Sequence, residues 1–239
     1  MDPRIDKIAQ GLKEFFEKAG FKKAVVGLSG GVDSALVAKL AVLALGKENV
    51  TVLLMPNEGV SSDHSISDAK AFAEELEIEY RVVSIRDYVQ RYKNLPWDES
   101  EEANINIQAR VRMTILYHYA NSNNVLVLGT GNKSEITLGY FTKYGDGGAD
   151  VLPIGSLYKT DVWKIAEELD LPEAIIKKTA TAELKAGQTD KGEIGMSYSE
   201  IDEILRKFEA GGESESDKEK KLMKRIEVNR HKGELPPVL

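Results

Sequence analysis

Residues 24–34 read Ala24-Val25-Val26-Gly27-Leu28-Ser29-Gly30-Gly31-Val32-Asp33-Ser34, and the rest of the chain can be interpreted outward from them. The apolar run predicts a short buried strand, Ser29-Gly30-Gly31 a turn, and the pattern from position 32 to 45 a helix. Glycines let a backbone close tightly around an anion, because they lack a Cβ and tolerate positive φ. The helix that follows directs free N–H groups and the positive end of its dipole at a bound phosphate. This segment is therefore predicted to bind phosphate groups.

The polar side chains of the turn refine that prediction. Ser29 and Ser34 add hydroxyl donors, whereas Asp33 would by itself be a poor phosphate contact, so its carboxylate indicates a bridging Mg²⁺. A Walker A loop is excluded because no Gly-Lys-Ser/Thr follows, and a dinucleotide fingerprint is excluded because Gly-x-Gly-x-x-Gly is absent. The structural alternative is a strand–turn–helix in which Ser and Asp act only as caps.

Strand-like and helix-like segments alternate through the first half of the chain. Strands are predicted at 24–28, 50–55, 79–85 and 125–128, and helices at 5–16, 32–45, 63–77 and 101–120. This alternation implies right-handed βαβ crossovers and a parallel sheet. We therefore predict an α/β fold with a doubly wound parallel sheet and a helical C-terminal extension. Ligands of such sheets bind at the carboxyl ends of the strands, where the turns at 29–31 and 129–131 would lie.

The second half is less regular. Loops are predicted at 139–150 and 179–193, and a helix at 160–169. Ser197-Tyr198-Ser199-Glu200 is a capping box that predicts the start of another helix. The charged segment 211–221 is predicted to be a mobile connector before a last helix that holds Leu222 and Ile226. Residues 1–239 are taken as one domain.

Composition excludes several classes of function. The 39 acidic residues outnumber the 32 basic ones, which argues against a nucleic-acid binder. The chain has no cysteine, which excludes disulfides, thiolate metal sites and thiol nucleophiles. A polar N-terminus without a signal-peptide pattern, and no apolar run near the roughly 18 residues of a membrane helix, lead us to expect a cytoplasmic protein without membrane contact.

The loop at 29–34 resembles that of the N-type ATP pyrophosphatases, which cleave ATP between its α and β phosphates. Their fold is an adenine nucleotide α-hydrolase-like sheet, which agrees with the predicted fold class. Other stretches resemble one family of this group, the ammonia-dependent NAD synthetases, over about residues 5–235. These stretches are Asn106-Ile107-Gln108-Ala109-Arg110-Val111-Arg112-Met113, Gly129-Thr130-Gly131-Asn132-Lys133-Ser134-Glu135, Gly139-Tyr140-Phe141-Thr142-Lys143-Tyr144-Gly145-Asp146-Gly147-Gly148-Ala149-Asp150, residues 153–159, Thr181-Ala182-Glu183-Leu184 and His231-Lys232.

The resemblance implies that the chain adenylates the nicotinate carboxylate of deamido-NAD with ATP and then amidates it with ammonia, giving NAD and AMP. It also implies a set of residue roles. Asp33 and Glu135 would bind Mg²⁺, and Asp33, Lys159, Thr181 and Asp146 would act in catalysis, Asp146 by binding ammonium or accepting its proton. ATP would contact Gly27, Leu28, Ser29, Gly30, Gly31, Val32, Asp33, Ser34, Thr130, Lys159 and Thr181. Deamido-NAD would contact Arg110, Lys143, Asp150, His231 and Lys232.

Elementary chemistry agrees with these roles. A carboxylate is a weak electrophile, and transfer of AMP converts one of its oxygens into a good leaving group. Mg²⁺ on Asp33 and Glu135 would stabilise the charge that develops on departing pyrophosphate. Lys159 is suited to the pentacoordinate α-phosphate. No covalent nucleophile on the enzyme is required.

The nitrogen donor and the assembly are also expectations. Glutamine-dependent forms carry an added amidase domain with a catalytic cysteine, which this chain lacks, so free ammonia is expected, and a separate glutaminase subunit remains open. A homodimer that binds deamido-NAD across its interface is implied by the resemblance, with the helix around Arg110 as a candidate interface. Two alternatives remain: an ATP pyrophosphatase that adenylates another carboxylate or a tRNA base, and a nucleotide-binding sensor.

Overall fold

The computed structural model describes residues 2–181 and 189–238. Its sheet consists of parallel strands in the spatial order β3-β2-β1-β4, namely β1 (Ala24–Gly27), β2 (Val50–Leu54), β3 (Glu79–Val82) and β4 (Leu126–Leu128). The chain moves outward from β1 to β2 and β3, and then returns to place β4 on the other side of β1. This change of direction is the topological switch point at which doubly wound sheets bind ligands. The predicted fold class is confirmed.

Helices connect these strands and continue beyond the last one. They are α1 (Pro3–Ala19), α2 (Val32–Leu45), α3 (Asp63–Glu75), α4 (Arg86–Tyr92), α5 (Glu101–Asn123), α6 (Lys133–Leu138), α7 (Lys159–Glu168), α8 (Glu173–Ile176), α9 (Asp190–Ile194), α10 (Tyr198–Glu209) and α11 (Asp217–Asn229). Short 3₁₀ turns lie at Lys47–Asn49 and Arg230–Lys232. In the described parts of the chain, no helix combines the length and the apolar character that crossing a bilayer requires.

Both faces of the sheet are covered. Alternate residues of β1 point to opposite faces, so Val26 packs with α1, α2, α3 and α7, whereas Val25 packs beneath α4 and α5. A third apolar cluster joins α6 to the C-terminal helices α10 and α11 through Leu138, Ile201 and Leu222. At the carboxyl ends of the strands, the loops together with parts of α3 and α5 form the site.

Sequence signals fix most helix ends. Gly20 closes α1 with a left-handed φ of 77°, and its N–H bonds back to the last carbonyls of the helix. Ser62 caps α3, and the predicted capping box of Ser197 and Glu200 opens α10.

Three predicted boundaries are wrong. The strand predicted to end at position 85 ends at Val82, because its partner strand β2 ends at Leu54; Val83 and Ile85 still donate to the carbonyls of Leu54 and Pro56 before α4 begins. The connector predicted at 211–221 ends earlier, since Ser216 and Glu219 form a capping box that starts α11. The polar loop predicted at 179–193 gives way to α9, which Thr189 caps by accepting a hydrogen bond from Gly192 N–H. Residues 182–188 of that prediction lie outside the described residues.

Candidate active site

A cleft opens at the carboxyl ends of β1, β2 and β4. Its walls come from the turn after β1, the start of α3, one face of α5, the turn after β4, and the segment before α9. Twelve of the residues predicted as site residues line it: Gly27, Leu28, Ser29, Gly31, Val32, Asp33, Ser34, Thr130, Glu135, Asp146, Lys159 and Thr181. The sequence motifs therefore converge on one cavity, although they are spread over more than half of the chain.

The turn after β1 has a backbone that only glycine fits. Gly30 has a φ of +79°, and a Cβ placed there would lie 2.3 Å from the carbonyl oxygen of Ser65 in α3. Gly31 is the N-cap of α2 and contributes no side chain, so the first N–H groups of α2 face the cleft without a side-chain cap. This arrangement is the one that an anion requires at a helix N-terminus.

Both serine hydroxyls take part in the internal bonding of the turn. Ser34 Oγ donates to the Gly31 carbonyl at 3.0 Å and accepts from Ser29 N–H at 3.2 Å. The two hydroxyl oxygens are 3.1 Å apart, and Gly31 N–H approaches Ser29 Oγ at 3.3 Å. These bonds tie Ser29 and Gly31 to Ser34 and fix the conformation of the turn.

The charged centre of the cleft is Lys159, the first residue of α7, which is only 3% exposed. Its ammonium group contacts Asp33 Oδ2 directly and lies 3.8 Å from Glu135 Oε1. Burial alone would lower the pKa of Lys159, but the carboxylates of Asp33 and Glu135 outweigh burial and raise it. The lysine is therefore positively charged and positioned beside the phosphate-binding turn.

One buried ammonium group does not neutralise the surrounding acids. Burial and the neighbouring carboxylate of Asp33 raise the pKa of Glu135, and the ammonium group of Lys159, 3.8 Å away, opposes this only in part. Asp190 in α9 adds a third acid to the same cleft, and burial raises its pKa as well. The centre thus holds more acidic than basic groups, and a further cation would stabilise their ionised forms.

Asn132 connects the two predicted metal ligands. It is fully buried, and its side-chain amide donates to Asp33 Oδ1 at 2.9 Å. Its side-chain oxygen accepts from Glu135 N–H at 3.0 Å, and its own N–H donates to Glu135 Oε2 at 3.2 Å. This is a capping box at the start of α6, with the same spacing as the box of Ser197 and Glu200. Asn132 was not predicted as a site residue, although its spacing of three residues from Glu135 is the spacing of a capping box.

The acids present fit a magnesium ion that is shared with a nucleotide. Within residues 2–181 and 189–238, no group of three or more His, Cys, Asp or Glu side chains could hold a metal ion alone. Mg²⁺ in nucleotide sites is usually held by one or two carboxylates together with substrate phosphates. Asp33 and Glu135 supply that number of carboxylates beside the phosphate-binding turn.

Two tyrosines and α9 form a part of the site that sequence reasoning missed. Tyr140 OH donates to Glu193 Oε2 at 2.7 Å and lies 3.3 Å from Asp190 Oδ1, while Tyr198 OH donates to Asp190 Oδ2 at 3.0 Å. The Tyr198 ring lies 5.4 Å from the ammonium group of Lys159. Asp190 was missed because the predicted polar loop gave no reason to bring it to the cleft.

The residues predicted to contact deamido-NAD occupy a different place. Except for Asp150, they gather around the loop at 139–146. Lys143 Nζ donates to the His231 carbonyl at 2.6 Å, and Arg110 Nε donates to the Lys143 carbonyl at 3.3 Å. Lys232 Nζ donates to the carbonyls of Gly139 at 2.9 Å and Phe141 at 3.2 Å. Cationic side chains from α5 and from the C-terminus thus surround one loop at the rim of the cleft.

Asp150 and Asp146 have separate positions. Asp150 lies beside the middle of β4, where its Oδ2 accepts from Val127 N–H at 2.7 Å and its Oδ1 accepts from Tyr117 OH at 3.2 Å. Asp146 lines the cleft, and its Oδ1 accepts from Thr142 N–H at 2.9 Å, which stabilises the turn of the loop.

Comparisons with known proteins were made over the whole chain. The sequence profile of the NAD synthase family matches residues 4–236. The NH3-dependent NAD(+) synthetase of Archaeoglobus fulgidus is 47% identical over 98% of this chain and 95% of its own length. An NMN synthetase from Francisella tularensis superposes with a TM-score of 0.91, at 34% identity, over 99% of this chain and 97% of its own. The NH3-dependent NAD synthetase from Campylobacter jejuni, solved with a nitrate ion, has a TM-score of 0.86 and 35% identity over 100% and 99% of the two chains.

Proposed function

The chain belongs to the NAD synthase family, and from this membership we propose how its residues divide the work of the reaction. The enzyme is a ligase that uses ATP to amidate deamido-NAD with ammonia and forms NAD. Such an amidation requires that the carboxylate lie next to the α-phosphate of ATP so that it can be activated. The activated carboxylate must then be accessible to the nitrogen nucleophile. The observation that carries the proposal is the contact of Lys159 with Asp33 beside the turn at 29–31.

Adenylation takes place at the turn after β1. The N–H groups at the start of α2 bind the departing pyrophosphate, which is supported by their open, uncapped position. Lys159 binds the α-phosphate and stabilises the charge that develops there. Thr130 and Thr181, which line the opposite walls of the cleft, contact the nucleotide.

Asp33 and Glu135 hold Mg²⁺. A bound magnesium ion supplies charge neutralisation for the β and γ phosphates. The raised pKa of Glu135 supports this assignment, since it reports a buried carboxylate without a full counter-charge. Asn132 fixes the two carboxylates relative to each other through its bonds to both.

Deamido-NAD binds along the rim formed by the loop at 139–150 and the C-terminal residues. Arg110, Lys143, His231 and Lys232 contact its phosphates and ribose hydroxyls, and Asp150 contacts it from its position beside β4. Their shared location around one loop supports a common ligand. Asp146 binds the incoming ammonium or accepts its proton, because its carboxylate faces the cleft beside that loop.

The test of the function is the release of pyrophosphate by purified protein with ATP, Mg²⁺ and ammonium. We expect release to require deamido-NAD and NAD to appear in equal amount. Because an NMN synthetase is among the similar structures, nicotinate mononucleotide is the essential comparison substrate. A kcat/KM for nicotinate mononucleotide that exceeds that for deamido-NAD would contradict the assigned substrate while leaving the amidation chemistry intact.

The source of nitrogen is tested in the same assay. The chain has no cysteine, so it carries no thiol for a glutaminase reaction. We expect turnover with ammonium chloride and background rates with glutamine alone. Turnover with glutamine by the purified chain would contradict this, whereas turnover only after a glutaminase is added would identify a separate subunit as the donor.

We also propose that the enzyme is a homodimer that associates through α4 and α5. A groove on the outer face of these helices is lined by Ile107, Val111, Ile115, Tyr119 and Arg110. Tyr88, which lines this groove, is 53% exposed, and Trp97, in the segment between α4 and α5, is 63% exposed. An apolar, aromatic surface of this kind is typical of a protein interface.

The assembly is tested by sedimentation equilibrium. Ile115→Glu places a charge in the groove, and we expect it to give monomers with lowered activity. Leu43→Glu is the matched control, because Leu43 is 50% exposed on α2, away from the groove. A parent protein that sediments as a monomer at micromolar concentration would contradict the dimer.

A further inference from the structure

Asp202 is a buried carboxylate outside the cleft, which the reaction does not touch. It lies on α10 and is 1% exposed. Its Oδ1 accepts a hydrogen bond from Ser134 Oγ at 2.5 Å, and its Oδ2 accepts one from Thr160 N–H at 2.8 Å. Burying a carboxylate this completely costs free energy unless hydrogen bonds compensate the lost hydration. The role of Asp202 therefore follows from the two groups that donate to it.

One of the two bonds completes the start of α7. Tyr158 is the N-cap of that helix and makes no side-chain capping bond, so the first N–H groups of α7 require other partners. Asp202 supplies one partner from a different helix by accepting from Thr160 N–H. Its negative charge also lies at the positive end of the α7 dipole.

The other bond connects Asp202 to α6. Ser134 Oγ donates to Asp202 and accepts from Lys159 N–H at 3.0 Å. The hydroxyl therefore links the backbone of Lys159 to α6, and the charge of Asp202 fixes the direction in which the hydroxyl points. Ser134 is itself fully buried, so water does not compete for these bonds.

The two anchored positions are the immediate neighbours of the charged centre. Ser134 precedes Glu135, and Thr160 follows Lys159. We propose that Asp202 is a positioning residue for adenylation, which locks α6 and α7 together so that the Lys159 ammonium meets the α-phosphate while Glu135 keeps its place at the metal. This inference rests on the proposed roles of Lys159 and Glu135. A small displacement of such groups lowers the rate of the chemical step far more than it changes substrate binding.

The first variant is Asp202→Asn, which keeps the size of the side chain. One amide oxygen cannot replace two carboxylate oxygens, so either Ser134 or Thr160 loses its acceptor. The readout is the deamido-NAD-dependent exchange of labelled pyrophosphate into ATP, which isolates adenylation from amidation. We expect kcat for exchange to fall by about 10- to 100-fold, as is typical when a partner behind a reacting group is lost, with KM for deamido-NAD within about twofold of the parent.

The second variant, Ser134→Ala, removes the hydroxyl group and leaves the hydrogen bond from Thr160 N–H to Asp202 in place. It tests the inference if Asp202→Asn does not fold. We expect it to lower kcat for exchange in the same direction. In the variant that combines Asp202→Asn with Ser134→Ala, kcat for exchange is expected to fall by less than the product of the two single fold-changes. The reason is that Asp202 and Ser134 belong to one hydrogen-bond network.

The matched control is Asp161→Asn. Asp161, on α7, is also a buried acid, but its carboxylate bonds to Arg206 at 2.6 Å and to Arg4 at 3.1 Å, neither of which lines the cleft. We expect this variant to lower the melting temperature and leave kcat for exchange unchanged. Equal losses of kcat in Asp161→Asn and Asp202→Asn would show that Asp202 acts only through stability and would overturn the proposal.

Lys159→Gln separates this inference from the function it rests on. Loss of exchange in Lys159→Gln together with a parent-like kcat in Asp202→Asn would overturn the positioning role and keep that of Lys159. Parent-like exchange in Lys159→Gln would overturn both roles. Loss of exchange in both variants, with Asp161→Asn active, is the expected result.

Discussion

The ammonium group of Lys159 contacts a carboxylate oxygen of Asp33, although 126 positions separate the two residues along the chain. The contact joins the start of α7 to the start of α2 at the point where the phosphate-binding turn ends. It places a buried positive charge next to Oδ2 of Asp33, while Oδ1 of the same carboxylate accepts a hydrogen bond from the side-chain amide of Asn132.

Asp33→Asn is expected to fold but to lose adenylation. Asp33 lies in the first turn of α2 with its side chain 18% exposed, so the core of the protein does not depend on it. The substitution removes the carboxylate that we propose binds Mg²⁺, which is also the direct partner of Lys159. We expect pyrophosphate release to fall by about 10²- to 10³-fold, the loss typical of a group that stabilises developing charge. Rates near those of the parent, in a variant with parent-like circular dichroism, would show that Asp33 is misassigned.

Gly30→Ala is expected to destabilise the phosphate-binding turn. The backbone there has a φ of +79°, and the new Cβ would collide with the carbonyl of Ser65 at 2.3 Å. We expect a loss of about 1–3 kcal/mol in the free energy of unfolding, measured by urea denaturation, and weaker ATP binding. Gly31→Ala is the control, because its nearest contact would be Ser29 Oγ at 3.4 Å, and its stability should stay within about 0.5 kcal/mol. Equal losses in both variants would contradict the explanation.

Lys232→Met is expected to raise KM for deamido-NAD. The ammonium group of Lys232 donates to the carbonyls of Gly139 and Phe141 and so orders the loop along which we propose that the dinucleotide binds. We expect an increase of about tenfold in KM, equivalent to about 1.4 kcal/mol of binding, with little change in kcat. Arg230→Met provides the comparison, because Arg230 is exposed and pairs with Glu234. The prediction fails if both variants change KM equally.

The stability of the α7–α10 contact is expected to depend on pH through Asp161. Burial by itself would raise the pKa of Asp161, but Arg206 and Arg4 outweigh burial and lower it. A carboxylate whose pKa is lowered by folding stabilises the native state above the ordinary aspartate pKa, and this stabilisation disappears as the pH falls through the lowered value. Arg206→Met should therefore cost about 1–2 kcal/mol at pH 7 and less below about pH 4.

The measurement for this variant is urea denaturation at several pH values. Lys177→Met is the control, because Lys177 and Glu173 form an exposed i,i+4 pair whose loss should change stability by less than about 0.5 kcal/mol. A loss in Arg206→Met that stays constant between pH 7 and pH 3 would show that packing, and not the charge of Asp161, is responsible.

Local signals in the sequence predicted much of the fold. The apolar run before Ser29 and the glycines after it specify a strand and a turn through backbone sterics alone, and the structure confirms both. Gly20 and the capping box at Ser197 likewise marked helix ends correctly. The box at Ser216 has the same local chemistry, but the charged residues around it led to the prediction of a connector.

Other features could not be predicted because they depend on contacts between distant segments. Asp190 follows a polar stretch with no periodic pattern, and it reaches the cleft only because Tyr140 and Tyr198 bind it there. Asp202 lies within an amphipathic helix, where a single acid is ordinarily assigned to solvent. Its burial against Ser134 arises from the packing of α10 onto α6 and α7.

By itself the sequence determined the glycine turn after β1 and the parallel α/β class, and it indicated Asp33, Glu135 and Lys159 as candidate site residues. These are properties of short segments, set by backbone freedom at glycine, by the period of the apolar residues and by the chemistry of each side chain. Tertiary structure alone decided that Lys159 pairs with Asp33, that Asn132 joins both predicted metal ligands, and that Asp202 anchors the two helices behind them. The reason is physical: whether a charged group is buried, and which partner compensates it, depends on the packing of segments far apart in the chain.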